Sequence, residues 1–312
     1  MTRIREIRLQ ESTSVINVTP VVRPDPRGGY LVADVREAQI RRYDESGRLL
    51  WHVGRKGHGP EEFQEPQIAL RLPGGNIFVA DRDTKVAIFD SAGIHLVKSF
   101  LVPLQRMEDG AVLNDSLVVC SGIGGDRPPH AFLHIVNLNR ESVTASFFRP
   151  FAHYPYPDLA VVMASVVLAF NGNEIAAAAL PIDTIYFFNK DGELLRRSRL
   201  PAKHFRMPKP MAPGDFQNPR KRAEWLGSFE TVTGVYWMGQ DTLVVPFRTI
   251  VDRTLHWHLL AMTKSGEEIF EWLDGPELLG VDGDSGILIF QSPNSMTPNV
   301  WSIARLSPEM AS

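Results

Sequence analysis

The sequence of 312 residues lacks several features that would assign it to a familiar class. It has one cysteine, Cys120, which excludes an internal disulfide and a cysteine metal cluster. Its 36 acidic and 33 basic side chains give a net charge of −3, so we expect no nucleic-acid partner. It has no run of 18 apolar residues, so we expect no membrane span.

Two further absences concern the chain start and the helices. Residues 1–6 contain no apolar stretch of the kind found in a signal peptide, which fits a cytoplasmic protein or a mature exported domain. Long patterns of helical period are scarce, whereas 24 glycines and 23 prolines supply many turns. This combination favours an all-β protein. Cys120 lies in an apolar strand pattern, so we predict a buried and unreactive thiol.

A short turn motif returns along the chain, each time between two alternating apolar runs. Asp or Asn at the start of a β-turn, with Gly where a positive φ is needed, is typical of a hairpin. The motif starts at Asp44, Asp90, Asn189 and Thr263, and a weaker copy without glycine starts at Asn137.

The spacing of this motif predicts the fold. Consecutive copies from Asp44 to Asn189 lie 46, 47 and 52 residues apart, and the last interval is 74. A period in the forties is typical of a β-propeller with four strands per blade. Strand patterns fill six units. We therefore predict an all-β, six-bladed β-propeller that forms a single domain over residues 1–312, with a proline-rich insertion at about 200–226 between blades four and five.

The sixth unit has only three strands before the chain ends. Residues 4–9 alternate in the manner of a strand and are predicted to form its missing outer strand. This arrangement would close the ring and remove the free edges of an open array.

Units one and two carry a resemblance to a known repeat. Residues 54–68 read GRKGHGPEEFQEPQI, and they are followed by the strand "VAD" that ends at Asp81 and by the turn Phe89-Asp90-Ser91-Ala92-Gly93. These residues resemble an NHL repeat, and in particular a large group of bacterial six-bladed NHL-like propellers, many of them exported. The match covers about residues 20–100. It implies the propeller fold, whereas its function stays open because such propellers include binding platforms and enzymes.

The resemblance also allows two enzyme branches to be compared with this chain. NHL-type amidating lyases place zinc-binding histidines just after the proline that begins an inner strand, and here that position in unit two is Gln67. Calcium-dependent lactonases and phosphotriesterases of the six-bladed type use acids and amides along the axis, and no clear axial set is evident. The sequence therefore departs from both patterns.

Long loops are predicted to gather on one face, at the mouth of the central channel, where propellers bind ligands. These loops span residues 54–65, 121–130, 149–158, 201–223 and 248–256. Their cations and aromatics suit a small anionic ligand or a peptide carboxylate. The predicted contacts, as binding and not catalytic residues, are Arg55, His58, His153, Tyr154, Arg206 and Arg248.

An alternative is a propeller-type hydrolase or lyase with a divalent metal as cofactor. His58, His153 and His256 recur at intervals of 95 and 103 residues, close to two blades each, and three imidazoles could hold a metal with an open position. His58 lies between two glycines and also fits a structural turn. A third interpretation is an interaction platform for another protein. The sequence leaves the ligand, the presence of catalysis and the metal content open.

Overall fold

A computed structural model describes residues 1–10, 21–124, 130–150, 165–201, 205–209, 211–212, 214–215, 217–252, 254–293, 295 and 297–306. The chain begins with strand β1 (Thr2–Arg8). Blade one contains β2 (Val21–Pro24), β3 (Tyr30–Asp34), β4 (Gln39–Tyr43) and β5 (Leu49–Val53). Blade two contains β6 (Pro66–Arg71), β7 (Ile77–Asp81), β8 (Lys85–Phe89) and β9 (Leu96–Leu101).

The third and fourth blades follow the same order. A small pair, β10 (Leu104–Gln105) with β13 (Ile123–Gly124), lies beside blade three. Blade three contains β11 (Gly110–Asn114), β12 (Leu117–Ser121), β14 (Leu133–Asn137) and β15 (Ser142–Phe147). Blade four contains β16 (Val166–Phe170), β17 (Ile175–Ala179), β18 (Thr184–Phe188) and β19 (Leu194–Arg199).

The last two blades complete the ring. Helix α1 (Pro219–Leu226) precedes blade five, which contains β20 (Thr231–Val232), β21 (Tyr236–Met238), β22 (Thr242–Val251), β23 (Thr254–Thr263) and β24 (Glu268–Gly275). Blade six contains β25 (Leu278–Asp282), β26 (Ile287–Gln291), β27 (Val300–Arg305) and, as its fourth strand, β1. The protein is a six-bladed β-propeller, and this fold prediction is confirmed.

The blades pack face to face. The second strands β3, β7 and β17 are buried along their whole length, as expected for strands covered on both faces. One apolar cluster joins Leu31 and Ala33 of blade one to Val79 of blade two, and corresponding clusters join other neighbouring blades. The first strands contact one another in turn around the axis, so they form the wall of a central channel.

The repeated turn motif forms the hairpin between the third and fourth strands of a blade, as predicted. The amide of Gly47 donates to the carbonyl of Asp44 at 3.0 Å, and Gly93 donates to Asp90 at 2.9 Å. Both glycines have a positive φ, 88° and 73°, which an L side chain rarely adopts. The turns that start at Asn189 and Thr263 repeat these hydrogen bonds.

The predicted closure of the ring is also confirmed, with a shift of the strand. Residues 2–8, not 4–9, pair antiparallel with β27, and the register changes between Arg3 and Arg5. Ile4 is therefore exposed, while Ile7 and Leu9 are buried against the cluster that includes Trp301. Strand β1 thus joins the end of the chain to blade one.

One sequence prediction was wrong in detail. The predicted loop at 248–256 is wrong for residues 248–251 and 254–256, because β22 and β23 pair from Thr242 opposite Thr263 to Val251 opposite Thr254. The β-branched residues Thr249, Ile250 and Val251 favour this extension. Helix α1 begins after the cap residue Asn218, whose side chain accepts hydrogen bonds from the amides of Arg220 and Lys221. Among the described residues, no helix has the length and apolarity needed to cross a membrane.

Candidate functional site

Two cavities lie at opposite ends of the central channel. The cavity on the long-loop face has a volume of 250 Å³ and is lined by residues at the start of the first strands, including Val21, Asp109 and Leu278. The cavity on the opposite face has a volume of 430 Å³ and is lined by residues of the turns that leave those strands. Arg23 and Tyr236 line both cavities, so they lie between them.

Three polar side chains from alternate blades meet at this level of the channel. Arg23 of blade one forms an ion pair with Asp109, which precedes β11 of blade three. The guanidinium carbon of Arg23 lies 6.0 Å from the ring centre of Tyr236 in blade five. The second carboxylate oxygen of Asp109 accepts a hydrogen bond from the amide of Leu168 in blade four at 2.8 Å. We call Arg23, Asp109 and Tyr236 the axial triad.

Burial and charge act in opposite directions on this triad. Burial raises the pKa of the Tyr236 phenol, and the nearby Arg23 offsets the rise only in part, so the phenol stays protonated at neutral pH. Desolvation opposes the charge on Arg23, but Asp109 and Tyr236 outweigh it and raise the pKa of the guanidinium. The channel therefore contains a positive charge held by a partner on another blade.

The walls of the mouth carry charges of both signs. Glu108 accepts a hydrogen bond from Arg106 at 3.3 Å and another from the hydroxyl of Ser165. Glu277 and Trp257 line the same cavity.

Trp257 connects the mouth to one of the predicted contacts, Arg248. The guanidinium carbon of Arg248 lies 5.8 Å from the ring centre of Trp257. Its buried Nε atom has no hydrogen-bond partner among the described residues. Arg248 thus reaches the edge of the channel mouth.

Arg55 and His58 lie on the loop between blades one and two, and neither lines the channel cavities. Arg55 donates to Glu62 at 2.8 Å, and the His58 ring nitrogen Nε2 lies 3.4 Å from the side-chain nitrogen of Gln64. The amide of Gly59 donates to Glu62 at 2.9 Å, which supports the interpretation of this segment as an ordered turn.

Arg206 and His256 come together elsewhere, in a cavity of 550 Å³ on blade five. His153 and Tyr154 lie outside the described residues. Within the described ranges, no group of three or more histidine, cysteine, aspartate or glutamate side chains has the geometry of a metal site. The prediction of a metal site that unites His58, His153 and His256 stays a prediction, because His153 lies outside the described residues.

The sequence did not lead us to predict the residues at the channel mouth. No axial set of acids was expected, but Glu108, Asp109 and Glu277 line the mouth. One sequence feature could have indicated them, because Asp109 and Glu277 each directly precede the first strand of a blade. Only the ring of blades shows that such positions meet.

No protein-family model and no curated protein matches this chain. Two solved structures from Bacteroides are similar to it in fold. A member of the DUF4221 family from Bacteroides vulgatus has a TM-score of 0.71 at 10% sequence identity, over 97% of this chain and 98% of that one. A protein of Bacteroides fragilis that is proposed to be exported has a TM-score of 0.64 at 11% identity, over 97% and 95%. At such identities the similarity concerns the fold alone.

Proposed function

We propose that this protein is a ligand-binding β-propeller whose site is the channel mouth on the long-loop face. The ligand is a short peptide or a small molecule that carries both a positive and a negative group. The observation that carries this proposal is the axial triad, in which Arg23 and Asp109 are paired between two cavities. Blades one and two, with their glycine-rich loop and turn, are proposed to be NHL-like repeats of a single domain.

A buried ion pair is a weak way to stabilise a fold. Well-packed apolar side chains of similar volume are often as stable or more stable, because two charges lose their hydration on burial. Charged groups with shifted pKa values in a cleft are, in contrast, frequent at functional sites. The axial triad therefore supports a role in contacting a ligand.

The charges at the mouth indicate the ligand class. Of the cations predicted as contacts, Arg55 and Arg206 are paired with Glu62 and Glu230. Glu108, Asp109 and Glu277 bring carboxyl groups to the same cavity as Arg23, and burial raises the pKa of the Asp109 carboxyl although Arg23 opposes the rise. A simple anion would meet these acids, whereas a peptide offers an ammonium or amide donor as well as a carboxylate.

Trp257 adds an aromatic surface beside these charges. An aromatic side chain at the rim offers a large contact area that loses little conformational entropy on binding. The mouth therefore combines an apolar contact with groups that orient a polar ligand, which is the usual composition of a small-ligand site.

The test is retention of peptides from a pool of unmodified tripeptides and tetrapeptides, read by mass spectrometry. Binding of the retained peptides is then measured by isothermal titration calorimetry. We expect Trp257→Ala and Glu277→Gln to weaken binding by about tenfold or more. Arg48→Ala is the control, because its side chain is 69% exposed and it lines neither channel cavity.

Retention of no peptide, or equal affinity in all three variants, would contradict the proposal. Cleavage of a retained peptide during the experiment would favour the hydrolase alternative at the same mouth. Loss of that cleavage in the Glu277→Gln variant would then assign it to this site.

A further inference from the structure

The extended hairpin of blade five forms one wall of a second cavity. Cross-strand partners in a sheet share a face, and Phe247 lies opposite His258 while Thr249 lies opposite His256. These side chains line the cavity of 550 Å³ together with Arg206. We call this cavity the blade-five pocket and define it by Arg206, Phe247, Thr249, Val251, His256 and Leu273.

The blade-five pocket is distinct from the channel mouth. Successive residues of a strand point to opposite faces, so Arg248 and Trp257 lie on the other side of the hairpin. Trp257 lines the channel mouth, and the two cavities share no lining residue. The hairpin therefore separates two sites.

Arg206 is held in a fixed position at the pocket. Its backbone amide and Nε both donate to Glu230, whose side chain is 4% exposed. Its Nη2 donates to the hydroxyl of Thr249 at 3.2 Å. Its Nη1 has no partner among the described residues, and the side chain is 57% exposed. A guanidinium anchored on one side in this manner is well placed to bind a carboxylate on the other.

His256 supplies a second polar group next to Arg206. Its Nδ1 lies 2.7 Å from a carboxylate oxygen of Asp274, so Nδ1 donates and Asp274 accepts. The other ring nitrogen, Nε2, has no partner among the described residues. Thr249 contacts Arg206 and is the cross-strand neighbour of His256, which brings the two groups to the same part of the pocket.

Apolar side chains lie beside this polar pair. Phe247 is buried and stacks on His258, with ring centres 4.9 Å apart and an angle of 26° between the rings. Val251 and Leu273 line the pocket although they are 46% and 40% exposed. Apolar residues that stay exposed next to fixed polar groups indicate a surface that a ligand covers.

We propose that the blade-five pocket binds an apolar carboxylate. The carboxylate accepts a hydrogen bond from Arg206 and contacts the ring of His256, and the apolar part covers Val251 and Leu273. Glu230, Asp274 and His258 are the other titratable groups at the pocket. The same chemistry is offered by a fatty acid and by the carboxy-terminal leucine of a peptide. This proposal is independent of the site at the channel mouth.

The experiment is isothermal titration calorimetry of the whole protein with octanoate and with N-acetyl-leucine. Octanamide and N-acetyl-leucinamide are the matched probes without a charge. We expect at least one carboxylate to bind about tenfold or more tightly than its amide, because a hydrogen bond to a charged group is lost in the amide. The preferred carboxylate distinguishes a fatty acid from a peptide terminus.

Three variants test the named residues. The first is the double substitution Arg206→Gln with Glu230→Gln, and the other two are the single substitutions His256→Gln and Leu273→Ser. We expect each of the three to weaken binding of the preferred carboxylate. The double variant avoids leaving Glu230 buried without its cation. Arg199→Gln is the control for loss of an arginine, since Arg199 is 81% exposed on blade four and does not line the pocket.

Several outcomes would overturn the proposal. These are the absence of heat with both carboxylates at millimolar concentration, equal binding of carboxylate and amide, and unchanged binding in the His256→Gln and Leu273→Ser variants. Thermal unfolding of each variant shows whether it is folded. If the double variant is unfolded, the other two variants still decide the matter.

Discussion

Arg23 and Asp109 form an ion pair across the central channel, although they belong to different blades and are 86 residues apart in the chain. The pair links blade one to blade three, and Asp109 extends the connection to blade four through the amide of Leu168. Loss of this ion pair should therefore lower the stability of the whole ring of blades.

We expect Asp109→Ala to lower the free energy of unfolding by about 3–5 kcal/mol, because it leaves Arg23 buried without its partner. Urea unfolding followed by tryptophan fluorescence measures this change. The control is Glu224→Gln, which removes the exposed ion pair with Arg220 and should cost less than about 1 kcal/mol. Equal effects of the two substitutions would show that the axial pair contributes no more than a surface pair.

Strand β1, which closes the ring, should be essential for the stability of the protein. Leu9 directly follows β1 and is 1% exposed, and we expect Leu9→Ala to lower the free energy of unfolding by about 2–5 kcal/mol through the cavity that it leaves. Deletion of residues 1–10 removes the fourth strand of blade six and should lower the melting temperature by more than Leu9→Ala does. Calorimetry measures both.

Ile4 provides the matched control for the first strand. It belongs to β1 but is 49% exposed, so Ile4→Ala should change the free energy of unfolding by less than about 1 kcal/mol. A deletion variant with an unchanged melting temperature would contradict closure of the ring by β1.

The carboxyl group of Asp44, at the start of a turn in blade one, should titrate at an unusually low pH. The hydroxyl of Ser46 and the amide and side chain of Arg48 lower the pKa of Asp44 to about 2. Because the pKa is lowered by folding, the stabilisation is present above the ordinary pKa near 3.8 and is lost as the pH falls towards 2. NMR titration of the carboxyl group measures the pKa directly.

Asp44→Asn separates charge from turn geometry. Asparagine still accepts the backbone hydrogen bonds, as Asn189 does in blade four, but has no charge to pair with Arg48. The difference in unfolding free energy between the protein and this variant should therefore shrink between about pH 4 and pH 2. A pKa for Asp44 near its ordinary value would contradict the prediction.

Cys120 should be unreactive in the folded protein. The side chain is fully buried in β12, and burial raises the pKa of its thiol well above the usual range. We expect labelling by a disulfide reagent only at the rate at which the protein unfolds, and complete labelling in denaturant. Rapid labelling of the native protein would show that blade three opens locally.

Local patterns in the sequence were sufficient to predict the blades. A turn such as that at Asp90 requires only its own residues and the glycine three positions later, so each copy could be recognised without its neighbours. The period between copies then predicted a propeller, and the strand patterns between the copies predicted six blades. The extension of β22 and β23 was missed because Arg248 and His256 look like loop residues until their pairing across the sheet is known.

The sequence by itself thus determined the architecture, since alternation, turns and period are local properties of the chain. Only the tertiary structure decided which side chains meet. Arg23, Asp109 and Tyr236 have no common spacing, and they come together because alternate blades direct their first strands to one axis. Arg206 and His256 meet for a similar reason, since the sheet brings Thr249 opposite His256 while Arg206 reaches Thr249 from outside the sheet. Such contacts depend on how strands pack in space, which distance along the chain does not specify.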